Sequence, residues 1–415
     1  MLVYVQSQDH QPLMPTHPAK ARSLLKTGKA KVVRRIPFTI RLLYDAGNQV
    51  QPLTHAVDTG SSTLGSSVAG DTGRVYYMSE VEVRNDIRRA LEQRSGKRGF
   101  RRNRKTRYRP CRNLNRANST KNGRLSPTMV SKFNAHHKEI RFAASLLPVS
   151  KLVLETGTFD PHALKNPEVL IDKALYQKGT NFGYENTKAY VLHRDEYKCR
   201  HCKGKSGDRR LHVHHIIYRE HHGSDEESNL ATLCKTCHDG VHSGAVILKL
   251  RGKRRGLLFH ATQMNSIRVQ LLKASPEAEE TFGYITKAYR QKYTDQKTHA
   301  LDAVFAATCG VSPTFVATTV LYKTCQADGD YQQTKGIRSE RRIPRAKIGG
   351  FRKFDKVGYQ GREYFIKGRM STGYAVLMDR QGNSAKLSPM PKLNLLRRIA
   401  ARKSWRITEE TMPSI

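Results

Sequence analysis

Apolar and polar positions along the chain fall into short blocks. In the first fifty residues VYVQ (3–6) reads as a strand and QPLMP (11–15) as a turn. ARSLLKTGK (21–29) reads as a short helix closed by Gly28, and AKVV (30–33) and FTIRLLY (38–44) as strands. This pattern predicts a small α/β unit decorated by Arg34, Arg35 and Arg41. In THAVDTGSSTLGSSVAG (54–70) two strand-like runs flank a turn of small residues, and Asp58 closes the first run. SPTMVSKFNAHHKEIRFAASLLP (126–148) spaces Met129, Phe133, Ile140, Ala144 and Leu147 as a helix does. KLVLETG (151–157) is a strand of the buried kind that ends in Glu155. KTHALDAVFAATCG (297–310) predicts an amphipathic helix ending at Gly310, with His299 and Asp302 on one face near its start. From residue 351 to 383 short strands alternate with Gly turns, the pattern of a small barrel.

Charge changes the picture. The chain of 415 residues, long enough for roughly two to four domains, carries 74 Lys and Arg against 35 Asp and Glu, a net +39. Folding does not require such an excess, because like charges repel. A polyanion partner, DNA or RNA, explains it. The excess concentrates between Arg84 and Arg124, which hold sixteen Lys or Arg and two acids. The first half of EQRSGKRGFRRNRKTRYRPCR (92–112) can be helical, and Pro110 would stop it. A helix with Arg on nearly every face has no apolar stripe to bury, so it predicts threading between nucleic-acid backbones. No apolar run approaches the roughly 20 residues of a membrane helix, and the N-terminus lacks a signal-peptide pattern. The expectation is a cytoplasmic protein whose seven Cys are thiols or metal ligands.

Four of those Cys form two CxxC pairs, Cys199 with Cys202 and Cys234 with Cys237. Together they fit one closed, structural, tetrahedral zinc site. The gap between the pairs holds HVHHII, a strand with His214 and His215 on opposite faces, then Asn229. After the second CxxC begins a helix with His238 and His242 four apart on one face. These His predict a second, catalytic metal site beside the zinc. His212, His221 and His222 read as a surface cluster, and His201 as a bystander.

HHII, Asn229 and HxxxH resemble the HNH nuclease ββα-metal motif. That resemblance implies that His215 is the general base, that His214, His238 and His242 hold a divalent ion, and that Asn229 orients the His-bearing loop. Asp58, Glu155 and Asp302 each lie where a strand ends or a helix begins, and hard carboxylate oxygens at such points can converge on Mg²⁺. Their order in VDTGSS, LVLETG and HALDA resembles a split RuvC nuclease of RNase H-like fold, with Asp58, Glu155, His299 and Asp302 as its catalytic residues.

The whole arrangement resembles the IscB family of transposon-associated RNA-guided nucleases. The PLMP stretch, the Arg-rich segment between the first two acidic motifs, and an HNH module between the second and third carry that likeness. The implied fold class is α/β multidomain. It comprises a PLMP domain (1–52), RuvC segments (53–83, 126–187 and 248–325, the last two with linkers), an Arg-rich bridge helix and linker (84–125), a zinc-bearing HNH domain (188–247) and a C-terminal small β-barrel (326–415) that reads a target-adjacent motif. Thr59 stands where many relatives have Pro, and a large helical recognition lobe is missing. The implied activity is RNA-guided cutting of double-stranded DNA, HNH on the guide-paired strand and RuvC on the displaced one. The implied cofactors are Mg²⁺ or Mn²⁺, structural zinc and a structured guide RNA, one RNA per monomer. Arg94, Arg98, Arg101, Arg102, Arg104 and Arg107 would contact guide or heteroduplex backbone. Two alternatives stand beside this reading: an RNA-free homing or transposon endonuclease, and a non-catalytic class, either a basic RNA-binding protein or a guided DNA-binding repressor.

Overall fold

A computed structural model describes residues 2–47, 49–105, 125–221, 223–253, 257–326 and 347–412. In chain order the strands are β1 (Val3–Gln6), β2 (Pro12–Thr16), β3 (Ala30–Arg34), β4 (Thr39–Leu42), β5 (Leu53–Asp58), β6 (Thr63–Gly70), β7 (Arg74–Glu82) and β8 (Val149–Thr156). They continue as β9 (Leu211–His215), β10 (Leu230–Cys234), β11 (Glu279–Phe282), β12 (Thr314–Phe315), β13 (Thr319–Cys325), β14 (Lys356–Tyr359), β15 (Arg362–Arg369), β16 (Ala375–Met378), β17 (Arg397–Ala400) and β18 (Trp405–Thr411). The chain divides into two units, one of residues 1–157 with 266–415 and one of residues 158–265.

An eight-stranded mixed sheet, ordered β11-β8-β5-β6-β7-β13-β18 with β12 paired to β7, organises the first unit. β5, β6 and β7 form an antiparallel meander, and β8 runs parallel to β5. Both faces are covered, which is why these strands read as apolar or small on successive positions rather than alternating. On one face the Pro127–Ala144 helix and its C-terminal extension pack Ala143, Leu146 and Leu147 against Leu53, Val68 and Tyr77. On the other, the His299–Ala307 helix packs Ala300, Val304 and Ala307 against Ala56, Ala69 and Met78. That helix is buried at every position from Ala300 to Ala307, so the amphipathic reading is corrected. Its alanines let it lie close on the sheet: a Cβ added at Gly65 would stand 1.8 Å from the His299 carbonyl oxygen.

The N-terminal sheet runs β2-β1-β4-β3 and buries Val3, Val5, Ala21 and Ile40 beneath the Pro18–Lys26 helix. QPLMP, expected to turn, is largely strand β2. β2 lies at the sheet edge, where two prolines without an N–H are tolerated. The Arg-rich segment is helical over Ile87–Lys105, and Arg94 and Arg98 are exposed on it. Arg101, Arg102 and Arg104 fall in the same helix, whereas Arg107 and Pro110 lie outside the described residues.

Near the C-terminus an antiparallel sheet, β16-β15-β14-β17, closes its own core around Val357, Ile366 and Leu377. The chain then leaves this sheet. β18 returns to the large sheet and pairs antiparallel with β13, so the described residues of 326–415 do not form one barrel-like module. In the second unit β9 and β10 form an antiparallel hairpin followed by the Lys235–Ser243 helix, a ββα arrangement.

Candidate metal and nuclease sites

The ligand atoms of Cys199, Cys202, Cys234 and Cys237 all lie within 4.8 Å of one another. The Cys202 and Cys234 sulfurs are 3.8 Å apart, which matches the edge of a sulfur tetrahedron with bonds of about 2.3 Å. Cys234 also caps the Lys235–Ser243 helix, its sulfur accepting from the Cys237 N–H. One residue thus starts the helix and turns a thiol toward its partners. The thiolate set fits zinc.

The hairpin builds the second cluster. His214 on β9 and His238 and His242 on the helix bring ring nitrogens within 4.8 Å of one another. His214 is 4% exposed, and its Nε2 is buried without a hydrogen-bond partner among the described residues. Burial, then the positive charge of His238, His242 and His215, lowers the His214 pKa to about 4. A neutral imidazole with an orphaned lone pair is what a divalent cation needs. His212, read as a surface residue, is exposed, and its ring packs 5.1 Å from His238. His222 lies outside the described residues.

His215 points to the other face of the strand and donates from Nε2 to Asp225 Oδ1 at 2.9 Å. Asp225 also accepts from Arg219 Nε at 2.6 Å. Asn229 is fully buried and uses its whole amide. Its Oδ1 accepts from the Ile217 and Lys253 N–H groups at 3.0 and 3.1 Å, and its Nδ2 donates to the Ile217 and Ser224 carbonyls at 2.9 and 2.8 Å. These bonds hold both the exit of β9 and the loop that carries Asp225.

In the other unit, β5 and β8 set Asp58 directly opposite Glu155. His299 Nδ1 donates to Asp58 Oδ2 at 2.6 Å. Asp302, one turn in from the Thr298 cap, accepts from Arg290 Nε at 2.8 Å. Burial, then the charges of Asp58 and Asp302, pushes the Glu155 pKa up to about 8. Burial also raises Asp58, while the bond to Asp58 raises His299. Glu155 Oε2 is buried without a hydrogen-bond partner among the described residues. The three acids are close enough to perturb one another, and one has an orphaned oxygen, but their oxygens are not gathered as tightly as the ligand atoms of the cysteine and histidine clusters.

The loop after Asp58 is held from two sides. Thr59 donates from both N–H and hydroxyl to the Glu155 carbonyl, at 3.1 and 2.7 Å. A Pro there could make neither bond. His136 is buried, and burial lowers its pKa to about 4. It donates from Nδ1 to the Lys132 carbonyl and accepts at Nε2 from the Gly60 N–H at 3.3 Å. Sequence reading missed Asp225, Arg290, Lys132 and His136. It treated Thr59 only as a departure.

Comparison with known proteins adds two family models. The model of the RRXRR protein matches residues 3–179, and the model of the HNH endonuclease matches residues 199–244. The chain carries an HNH endonuclease domain. It is therefore a nuclease, of a class whose chemistry is metal-dependent. The matched segment contains the four cysteines, both strands of the hairpin and the three-histidine cluster. No curated protein matches. Two solved structures of Streptococcus thermophilus Cas9, with the AGAA and GGAA PAM, align at 12% identity with TM-scores of 0.34 and 0.35. These alignments cover 58% and 59% of this chain and 32% of each Cas9 chain, a likeness too distant to carry an argument.

Proposed function

We propose that this protein is an RNA-guided double-stranded DNA endonuclease of the IscB kind. The observation that carries the reading is the presence, in one chain, of two clusters of different build. One is an imidazole cluster on a ββα hairpin and the other a carboxylate cluster at strand ends. The first is inserted in the sequence between Glu155 and His299. The Arg-rich helix Ile87–Lys105 and the net charge of +39 support a polyanion guide as well as a polyanion substrate. The large α/β sheet would be a RuvC-type fold. The N-terminal sheet would be the PLMP domain, and the β14–β17 sheet would read the target-adjacent motif.

At the HNH site His214, His238 and His242 would hold a divalent ion, which supplies Lewis-acid stabilisation of the charge that develops on phosphate oxygen. His215 acts as general base. Because its Nε2–H is committed to Asp225, the water proton goes to Nδ1. Asn229 fixes the strand exit that carries His215. At the second site Asp58, Glu155 and Asp302 would hold Mg²⁺ or Mn²⁺, and His299 accompanies Asp58. Arg290 is the countercharge on Asp302. The four cysteines would hold zinc. Arg94, Arg98, Arg101, Arg102, Arg104 and Arg107 would face guide or heteroduplex phosphates.

The test is strand-resolved cleavage of an end-labelled duplex by the protein reconstituted with the RNA encoded beside its gene. His215→Ala leaves cutting of the displaced strand only, and Asp58→Ala leaves cutting of the paired strand only. Loss of both cuts from either change, with binding retained, would refute the division of labour.

A further inference from the structure

A cavity of about 320 Å³ opens among β3, the β14–β17 sheet and β18, and none of its lining residues belongs to either candidate nuclease cluster. Arg34, Arg35, Lys356, Arg398 and Lys403 bring five cations to it, while Ile36, Phe354 and Trp405 are among its apolar lining. Two of these cations are already neutralised: Lys356 pairs with Glu363 at 2.6 Å and Arg398 with Asp355 at 3.2 Å. Arg34, Arg35 and Lys403 form no ion pair among the described residues. Arg34 lies over the Phe142 ring at 4.7 Å, and its Nη1 is buried without a hydrogen-bond partner among the described residues. Burial lowers the Lys403 pKa, and the like charges of Arg34 and Lys138 lower it further.

Arg34, Arg35 and Lys403, gathered at one cavity with no ion pair among the described residues, repel one another unless an anion joins them. The cavity also offers apolar wall, so the missing anion is not a bare ion. Its size admits one nucleotide and excludes a duplex. Single-stranded nucleic acid is bound in this way, with cations along the backbone and apolar or aromatic surface against sugar and base.

We propose that this cavity captures one nucleotide of an unpaired strand. Its phosphate accepts from Arg34, Arg35 and Lys403, and its nucleoside lies against Ile36 and Phe354. The site extends the nuclease reading without resting on catalysis. It explains why Arg34 and Arg35 stand side by side at the end of β3.

Trp405 is the chain's only tryptophan and lines this cavity, so its emission reports on the site, while polarisation of a labelled oligonucleotide reports binding anywhere on the protein. The full chain, freed of copurifying nucleic acid by high salt and kept in magnesium-free buffer, is titrated with a short oligouridylate and with the corresponding oligothymidylate. Saturable quenching is expected. In the double variant Arg35→Glu, Lys403→Glu, with unchanged melting, the affinity read at Trp405 falls at least about tenfold. The slope of log affinity against log salt falls by about 0.7 for each phosphate that is no longer neutralised. Stronger quenching by the RNA assigns the site to the guide, and stronger quenching by the DNA assigns it to the displaced strand. Unchanged Trp405 emission while polarisation of a labelled oligonucleotide reports saturation, or equal quenching in the variant, overturns the proposal. Strand-resolved cleavage run in parallel separates that failure from failure of the nuclease reading.

Discussion

Gly65→Ala tests how tightly the carboxylate site is held. Gly65 sits on β6 directly opposite Asp58, and the first residue of the His299–Ala307 helix passes over it. An added Cβ would stand 1.8 Å from the His299 carbonyl oxygen, whereas an ordinary contact begins at 3.4 Å. The helix and β6 must separate by about 1.6 Å, the difference of those two distances. The 2.6 Å bond from His299 to Asp58 does not survive that shift, and Asp302 on the same helix moves with His299. A misplacement of about 1 Å in a catalytic constellation costs on the order of a hundredfold in rate. Displaced-strand cutting is therefore expected to fall on the order of a hundredfold. Paired-strand cutting, which the proposed function gives to the other unit, is expected to keep its rate and to show that the protein still folds and binds. Gly70→Ala is the control, since a Cβ there meets Leu53 at an ordinary 3.6 Å. Single-turnover assays on a duplex labelled on each strand read both cuts. Wild-type displaced-strand cutting by Gly65→Ala would refute the reasoning.

Three further outcomes are expected. Asn229→Ala removes four hydrogen bonds, one buried and three part-buried, and strands the Ile217 N–H and carbonyl, at about 1–3 kcal/mol for each group left unsatisfied and buried. Paired-strand cutting should drop at least about tenfold while displaced-strand cutting persists, measured on the same labelled duplex. Cys199→Ser should release zinc and unfold the 158–265 unit, read by metal analysis and by proteolysis of that segment; a zinc-free variant with normal protease resistance would contradict the assignment. The Glu155 carboxyl titrates near 8 in the metal-free fold against 4.5 ordinarily. The unfolded chain therefore loses this proton first as pH rises, and the stability this group contributes below about pH 4.5 is lost as pH climbs to about 8. Metal-free wild type should lose melting temperature over that range more steeply than Glu155→Gln, and added Mg²⁺ should restore most at the upper end; identical slopes would sink the argument.

Much of the scaffold is legible because each clue is local. β5 and β8 announce themselves by apolar runs that stop at an acid. The two CxxC pairs and HxxxH fix their spacing within a single turn. Other features depend on contacts that no short window contains. His136 reaches Gly60 across 76 positions and Thr59 reaches the Glu155 carbonyl across 96. Asp225 meets His215 only because Asn229 folds the intervening loop back. QPLMP is legible as a proline-rich break but not as an edge strand, since edge position is a property of the sheet rather than of the segment. β18 follows the β14–β17 sheet in sequence yet pairs with β13, because its Trp405 and Ile407 complete the apolar face around Tyr77 and Leu321. The His299–Ala307 helix mixes polar with apolar positions at its start, where the polar ones face the acid site, so its pattern mimics an exposed face.

The central claim, that RNA directs the cut, is tested most directly by exchanging guides. The protein is loaded with two RNAs identical except in the guide segment and given one DNA carrying both matching targets. Cuts that move from one target to the other with the guide, and vanish without RNA, are the predicted result. Cuts that stay at one DNA sequence whichever guide is present, or that persist without RNA, would contradict it.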